Sequence, residues 1–212
     1  MNKAKLREVL EEHEGLRLEP YQDSLGIWTI GIGHNLEIEQ SDEELEALDI
    51  TEQQWHNMQT GRKWRGFTIT AEQADKLLDI DIEDAIHDIP LDPDTLFGLN
   101  EARYTVILSM AFQMGGRGIR KFKKFLAAVE ESDWETAAEE MLDSRWAKQT
   151  PERCQELSAW MRHGTFVKPA EEQKLLRETL MAAQSTDVNL ADATNEQLIA
   201  ELQRRLQNGI TD

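Results

Sequence analysis

The sequence predicts an α+β fold, mostly helical, with one small β-hairpin or sheet near the N-terminus. Three observations predict it. Apolar residues recur at helical spacing over two long stretches, 71–89 and 101–114. Three capping boxes, Thr51–Gln54, Thr70–Gln73 and Thr194–Gln197, mark helix starts. The exception is 16–32, where two short runs rich in Ile, Tyr, Trp and Thr flank Asp23-Ser24-Leu25-Gly26, as in a hairpin.

The first helix carries Leu6, Val9 and Leu10 on one face. Gly15 is its stop, which puts Glu14 on the last turn. Extended segments Leu16–Tyr21 and Ile27–Ile32 follow. Short connections thus bring Glu14, Asp23 and Thr29 close together. Two carboxylates flanking a cleft are what glycoside hydrolysis needs, one as proton donor and one to hold or activate a water. A chance Glu/Asp pair in so acidic a chain is ordinarily surface decoration. The setting lifts this pair: Gly31, Gly33 and His34 crowd the end of the second strand, where glycines permit close backbone approach.

Residues 37–49 form an acidic run with Leu45, Leu48 and Ile50 interspersed, which predicts one short helix. A second carries Trp55 and Met58, and 61–66 is a turn-rich exit. Trp55 and Trp64 suit either sugar stacking or a small satellite core, and the core is the commoner use. The helix opened by Thr70 runs about five turns and stops before Pro90. Residues 91–99, with Pro93 and Gly98, read as a loop. Asn100 caps the helix 101–114, which is apolar all round and therefore buried all round; Gly115-Gly116 ends it. A basic helix with Phe122, Phe125, Leu126 and Val129 comes next. Asp133 then caps a helix with Trp134, Ala137, Ala138, Met141 and Leu142. Thr150 and Pro151 read as N-cap and first helical position of a helix that Gly164 closes. Beyond it, Pro169 starts a helix with Leu175, Leu176 and Leu180, and 185–193 is a polar linker. Leu198, Ile199, Leu202 and Leu206 then form a stripe ending at Gly209. That stripe has three outlets, ranked in order: folding back, pairing with a second chain, or binding a partner.

The net charge of −18 excludes nucleic acid as the expected partner. It also sits awkwardly with an anionic substrate surface, although six basic residues and no acidic one fall between Arg103 and Lys124. The single cysteine, Cys154, reads as a packed thiol and allows no intramolecular disulfide. The histidines are scattered, so no metal and no cofactor is expected. No apolar run is long enough for a signal peptide or membrane span, which predicts a chain made and kept in a cytoplasm until something releases it.

The stretch 14–35 closely resembles the lysozymes of T-even bacteriophages and their relatives. Glu14-Gly15-Leu16-Arg17-Leu18, Tyr21-x-Asp23 and Thr29-Ile30-Gly31-Ile32-Gly33-His34 carry the resemblance. So do Phe112-Gln113-Met114-Gly115, Ser144-Arg145-Trp146 and Gln149-Thr150-Pro151-x-Arg153, in the family's order. The resemblance covers residues 1 to about 168. It implies a two-lobed lysozyme domain: a small lobe at about 14–69, a connecting helix at about 70–89, and a helical lobe at about 90–168 plus helix 1–13. Residues 169–212 are then a helical C-terminal extension of a monomer, docking on the domain or on a partner.

The resemblance further implies peptidoglycan glycan strands as substrate and hydrolysis, with inversion, of the β-1,4 bond between N-acetylmuramic acid and N-acetylglucosamine. It assigns Glu14 as general acid, Asp23 and Thr29 to the attacking water, and Arg153 to orienting Glu14. Asn35, Phe112 and Gln113 match substrate-binding positions. His34 is read as structural, paired with Asp81 on the long helix. The expected setting is host cytoplasm, then the cell wall at lysis. The rival readings are a lytic transglycosylase on the same bond and a wall-binding phage component without turnover.

Overall fold

Helix α1 (Lys3–Glu14) buries Leu6, Val9 and Leu10, as its spacing predicts. The coordinates are a computed structural model and describe residues 3–23, 26–61, 64–168 and 174. The expected helices, linker and apolar stripe of the C-terminal extension lie outside the described residues. The chain divides into two compact units, Met1–Lys123 and Lys124–Asp212.

The first unit holds the sheet. Strands β1 (Arg17–Gln22), β2 (Trp28–Gly31) and β3 (His34–Asn35) form one antiparallel sheet in that order. The third strand was not expected: two residues carry no periodicity to read. Tyr21 opposes Thr29, and Thr29 opposes Asn35, so these three form one row across the sheet. Register slips between Arg17 and Tyr21. Pro20 lies in that interval on the edge strand and has no N–H to give a ladder.

Helices α2 (Asp42–Leu48) and α3 (Glu52–Thr60) follow, each opened by a complete capping box. With Ile30, Leu36 and Leu77 they enclose a small core. Trp55 and Trp64 are both buried there, their rings 4.7 Å apart, so they fill that core and do not line a sugar-stacking surface. Helix α4 (Ala71–Asp88) starts at the Thr70 box and stops at Ile89 before Pro90. Its 18 residues span about 27 Å. It packs against α2, β2 and β3 and also against the helix that follows α5.

Residues 93–98 are helical, not loop. Helix α5 (Pro93–Gly98) has proline in its first turn and Asp92 accepting the Asp94 N–H. Helix α6 (Glu101–Ile119), capped by Asn100, buries every residue from Tyr104 to Ala111. Gly115 breaks it with φ 64°, ψ 170°, and one further turn follows. Asp88 receives that turn: its carboxylate accepts the Gly116 N–H at 2.9 Å and pairs with Arg120 at 3.0 Å.

The second unit contains α7 (Lys123–Glu130), α8 (Trp134–Leu142), α9 (Arg145–Gln149) and α10 (Pro151–His163). Helix α8 packs against α10. Cys154 is buried, donates to the Met141 carbonyl, and burial pushes its thiol up to about 11, so it is a packed thiol as read. Thr150 and Pro151 stand at the N-cap and first helical positions of α10 as expected, but the Thr150 side chain makes no cap bond. The Thr150 hydroxyl turns back to the Trp146 carbonyl at 3.3 Å, because α9 ends on that same residue.

Candidate active site

Glu14 is the last residue of α1, half-buried, and Gly15 turns the chain with φ +74°. The β2–β3 turn comes back against it. Gly33 has φ +80°, and a Cβ there would stand 3.3 Å from the Phe112 ring and 3.5 Å from Glu14 Cγ. Any side chain at 33 would push between the two. Gly33 therefore lets the end of α1, the sheet turn and the end of α6 meet at one place. Gln113 follows Phe112 on α6, also half-buried.

Asp23 and Thr29 are joined through one residue. The Ile27 N–H donates to Asp23 Oδ1 at 2.8 Å, and the Asp23 N–H donates to the Ile27 carbonyl at 2.9 Å. The buried Thr29 hydroxyl donates to that same carbonyl at 3.1 Å. The hydroxyl hydrogen is thus committed, and Thr29 Oγ1 keeps its lone pairs to accept with. Tyr21, opposite Thr29, is half-buried. Burial raises its phenol, the charge of Glu14 raises it further, Arg17 opposes, and Asp23 adds to the rise. The phenol therefore lies within electrostatic reach of both carboxylates. Tyr21 was quoted in the sequence without a role. No sequence signal marks it: residues four apart in a regular strand do not touch, but the register slips between Arg17 and Tyr21, and the guanidinium sits 4.4 Å from the ring centroid.

Asn35 continues the Tyr21–Thr29 row, but its side chain is partly engaged: Oδ1 accepts the Glu37 N–H at 2.8 Å. Arg153 stands on α10 of the second unit, half-buried. The first unit thus gathers Glu14, Asp23, Thr29, Asn35, Phe112 and Gln113.

His34 points to the other side of the sheet, as the Ile30–His34 register requires. It is 2% exposed. Nδ1 meets both Asp81 oxygens at 3.0 Å, the pairing the resemblance implied. Nε2 meets Gln40 Oε1 at 2.6 Å. Gln40 uses its own amide hydrogens on the Asn35 and Ile38 carbonyls, so its oxygen must accept. Both ring nitrogens therefore carry hydrogen. Burial is the largest single influence and lowers the imidazole pKa. The hydrogen bond and charge of Asp81, the bond to Gln40 and the charge of Glu44 together outweigh it, and the net shift is upward. Among the described residues His34, Glu44 and Asp81 are close enough together to hold a cation. A doubly protonated ring has no lone pair to ligate one.

A family model described as phage lysozyme matches residues 11–164. The probable T4-type lysozyme 1 of Dictyostelium discoideum is 32% identical over 164 residues, covering 76% of this chain and 95% of the relative. The pre-baseplate central spike protein Gp5 of Enterobacteria phage T4 is 32% identical over 192 residues, 88% of this chain and 32% of that protein. The endolysin of Salmonella phage P22 is 32% identical over 109 residues, 50% of this chain and 58% of that protein.

Proposed function

Since the chain belongs to the phage lysozyme family, we propose that it cleaves the β-1,4 bond between N-acetylmuramic acid and N-acetylglucosamine with inversion, and that it does so at Glu14, Asp23 and Thr29. The family makes the protein a peptidoglycan-hydrolysing glycosidase; the bond, stereochemistry and residue roles are our reading. The observation that carries it is the Asp23–Ile27–Thr29 link in the same unit as the Glu14–Gly33–Phe112 contact.

Glu14 gives its proton to the leaving glycosidic oxygen. A water is held with one hydrogen toward the Asp23 carboxylate and one toward Thr29 Oγ1. Both are acceptors, so the water's lone pair is left to attack the anomeric carbon from the face opposite the leaving group. Asp23 takes the proton as the C–O bond forms. The family match also reads Arg153 as a supporting residue. Phe112, Gln113 and Asn35 line the sugar path.

Glu14→Gln should abolish cleavage of purified peptidoglycan while circular dichroism stays native. General acids contribute roughly 10²–10⁴-fold; a variant retaining more than about a tenth of the rate would sink the assignment. Reducing ends are expected in the products, whereas 1,6-anhydro ends would mark a transglycosylase. We further propose action on the host wall after release from the cytoplasm, checked by clearing of chloroform-treated Gram-negative cells. One observation favours a second setting. The similarity to the phage T4 spike protein covers more of this chain than residues 1–168 comprise, which supports a catalytic lysozyme carried on a phage particle. Detecting the chain in purified virions would favour that setting over a free endolysin.

A further inference from the structure

We propose that Arg17, held on the ring of Tyr21, is a specificity-determining residue that binds a carboxylate of the peptide branch on the substrate's muramyl residue. This rests on the reading of Glu14, Asp23 and Thr29 as the reacting site. The chain has 41 acidic residues. Among the described residues, none of them forms an ion pair with Arg17, although Glu14 and Asp23 both act on the tyrosine beneath it. The guanidinium lies over Tyr21 instead, 4.4 Å from the ring centroid. Tyr21 opposes Thr29 across the sheet. Directly opposed residues share a sheet face, so Tyr21 shares that of Thr29, and Arg17 is placed beside it by its stacking on the ring.

A stacked guanidinium keeps its edge of N–H donors for a ligand, and that planar fork matches a carboxylate. The ligand class follows from charge. The glycan backbone is neutral and needs no cation beside the reacting carboxylates. The peptide branch carries carboxylates that Glu14, Asp23 and a net charge of −18 would repel. Arg17 offsets that repulsion. Tyr21 fixes the arginine from below, and the sheet row fixes Tyr21.

The test compares peptide-bearing glycan strands with the same strands after their peptide carboxylates are converted to neutral amides, for wild type and Arg17→Gln. KM on peptide-bearing strands should rise about tenfold, the worth of a charge-assisted hydrogen bond. KM on the amidated strands should hold within about twofold, because no carboxylate remains for Arg17 to bind and no such bond is lost. Tyr21→Leu, which removes the platform but leaves the charge, should lose part of the same selectivity. Arg17→Lys should recover less than wild type, because it keeps charge and loses the fork. Equal losses on both substrates would overturn the proposal. So would a shifted pH profile of kcat with KM unchanged, since Arg17 would then act on the carboxylates and not on the substrate. Failure of the parent reading looks different: Glu14→Gln would stay active whatever Arg17 does.

Discussion

His34 shows how one residue can look catalytic and be something else. It follows a glycine-rich strand beside the site, yet the register sends it to the opposite face, onto Asp81, Gln40 and Glu44. A histidine whose folded pKa is raised stabilises fully below its unfolded value, near 6.5. That stabilisation is lost as pH rises through the raised folded value. His34→Asn should therefore cost more stability at pH 5 than at pH 9, with turnover per folded molecule little changed. Thermal unfolding across a pH series checks this, and a pH-independent difference would contradict it. Asp81→Asn should lower the His34 pKa measured by NMR. An inactive but folded His34→Asn would return the residue to the chemistry.

At the scale of elements, the helix starts were the most legible feature. Thr51 and Thr70 each complete the capping box expected of them, a signal contained within four residues, and Ser41 completes one that was not expected. Thr150 stands at the N-cap position of α10 as expected but makes no side-chain cap bond; its hydroxyl donates to the Trp146 carbonyl of α9. Helix α5 was missed although Asp92-Pro93 announced it; a six-residue helix has too little periodicity to outweigh its proline. Gly115 was correctly read as the break in α6, and its conformation makes a prediction. Alanine in a continuous helix would gain about 1 kcal/mol over glycine. At φ 64°, ψ 170° only glycine is at ease, and other residues cost about 1–3 kcal/mol. Gly115→Ala should thus lower stability in denaturant unfolding. A neutral or stabilising result would mean that the break is not maintained in solution.

Over the whole molecule, charge is unevenly used. The basic stretch from Arg103 to Lys124 suits either a solvated helix face or a positive rim over the substrate, and Arg120 is tied to Asp88 and Lys124 to Glu140. That leaves less of the cluster for a substrate than its composition suggests. The second unit closes on itself at its described end: the buried indole N–H of Trp160 donates to the Val167 carbonyl at 2.8 Å, and Val167 is buried. A chain ending at Lys168 keeps that bond and every residue proposed for catalysis, so it should fold and cleave purified peptidoglycan. A chain ending at Gly164 loses the acceptor and should be less stable by about 1–3 kcal/mol. Thermal unfolding of the two truncations measures the difference. A folded 1–168 chain that cannot cleave would make the remaining residues part of the active unit.

By itself the sequence determined what is local. Caps act over three or four residues, Gly15 ends α1 beside Glu14, and Asp23 and Thr29 are linked through Ile27 between them. Interactions at such short separation need little from the rest of the chain. Tertiary structure decided what depends on partners far apart in sequence. Gly33 touches both Glu14 and Phe112, Trp55 meets Trp64, and His34 draws its charge from Asp81 and Glu44. Periodicity tells which face of an element is buried, but not what it is buried against. A pKa depends on burial and on distances to charges that only packing sets.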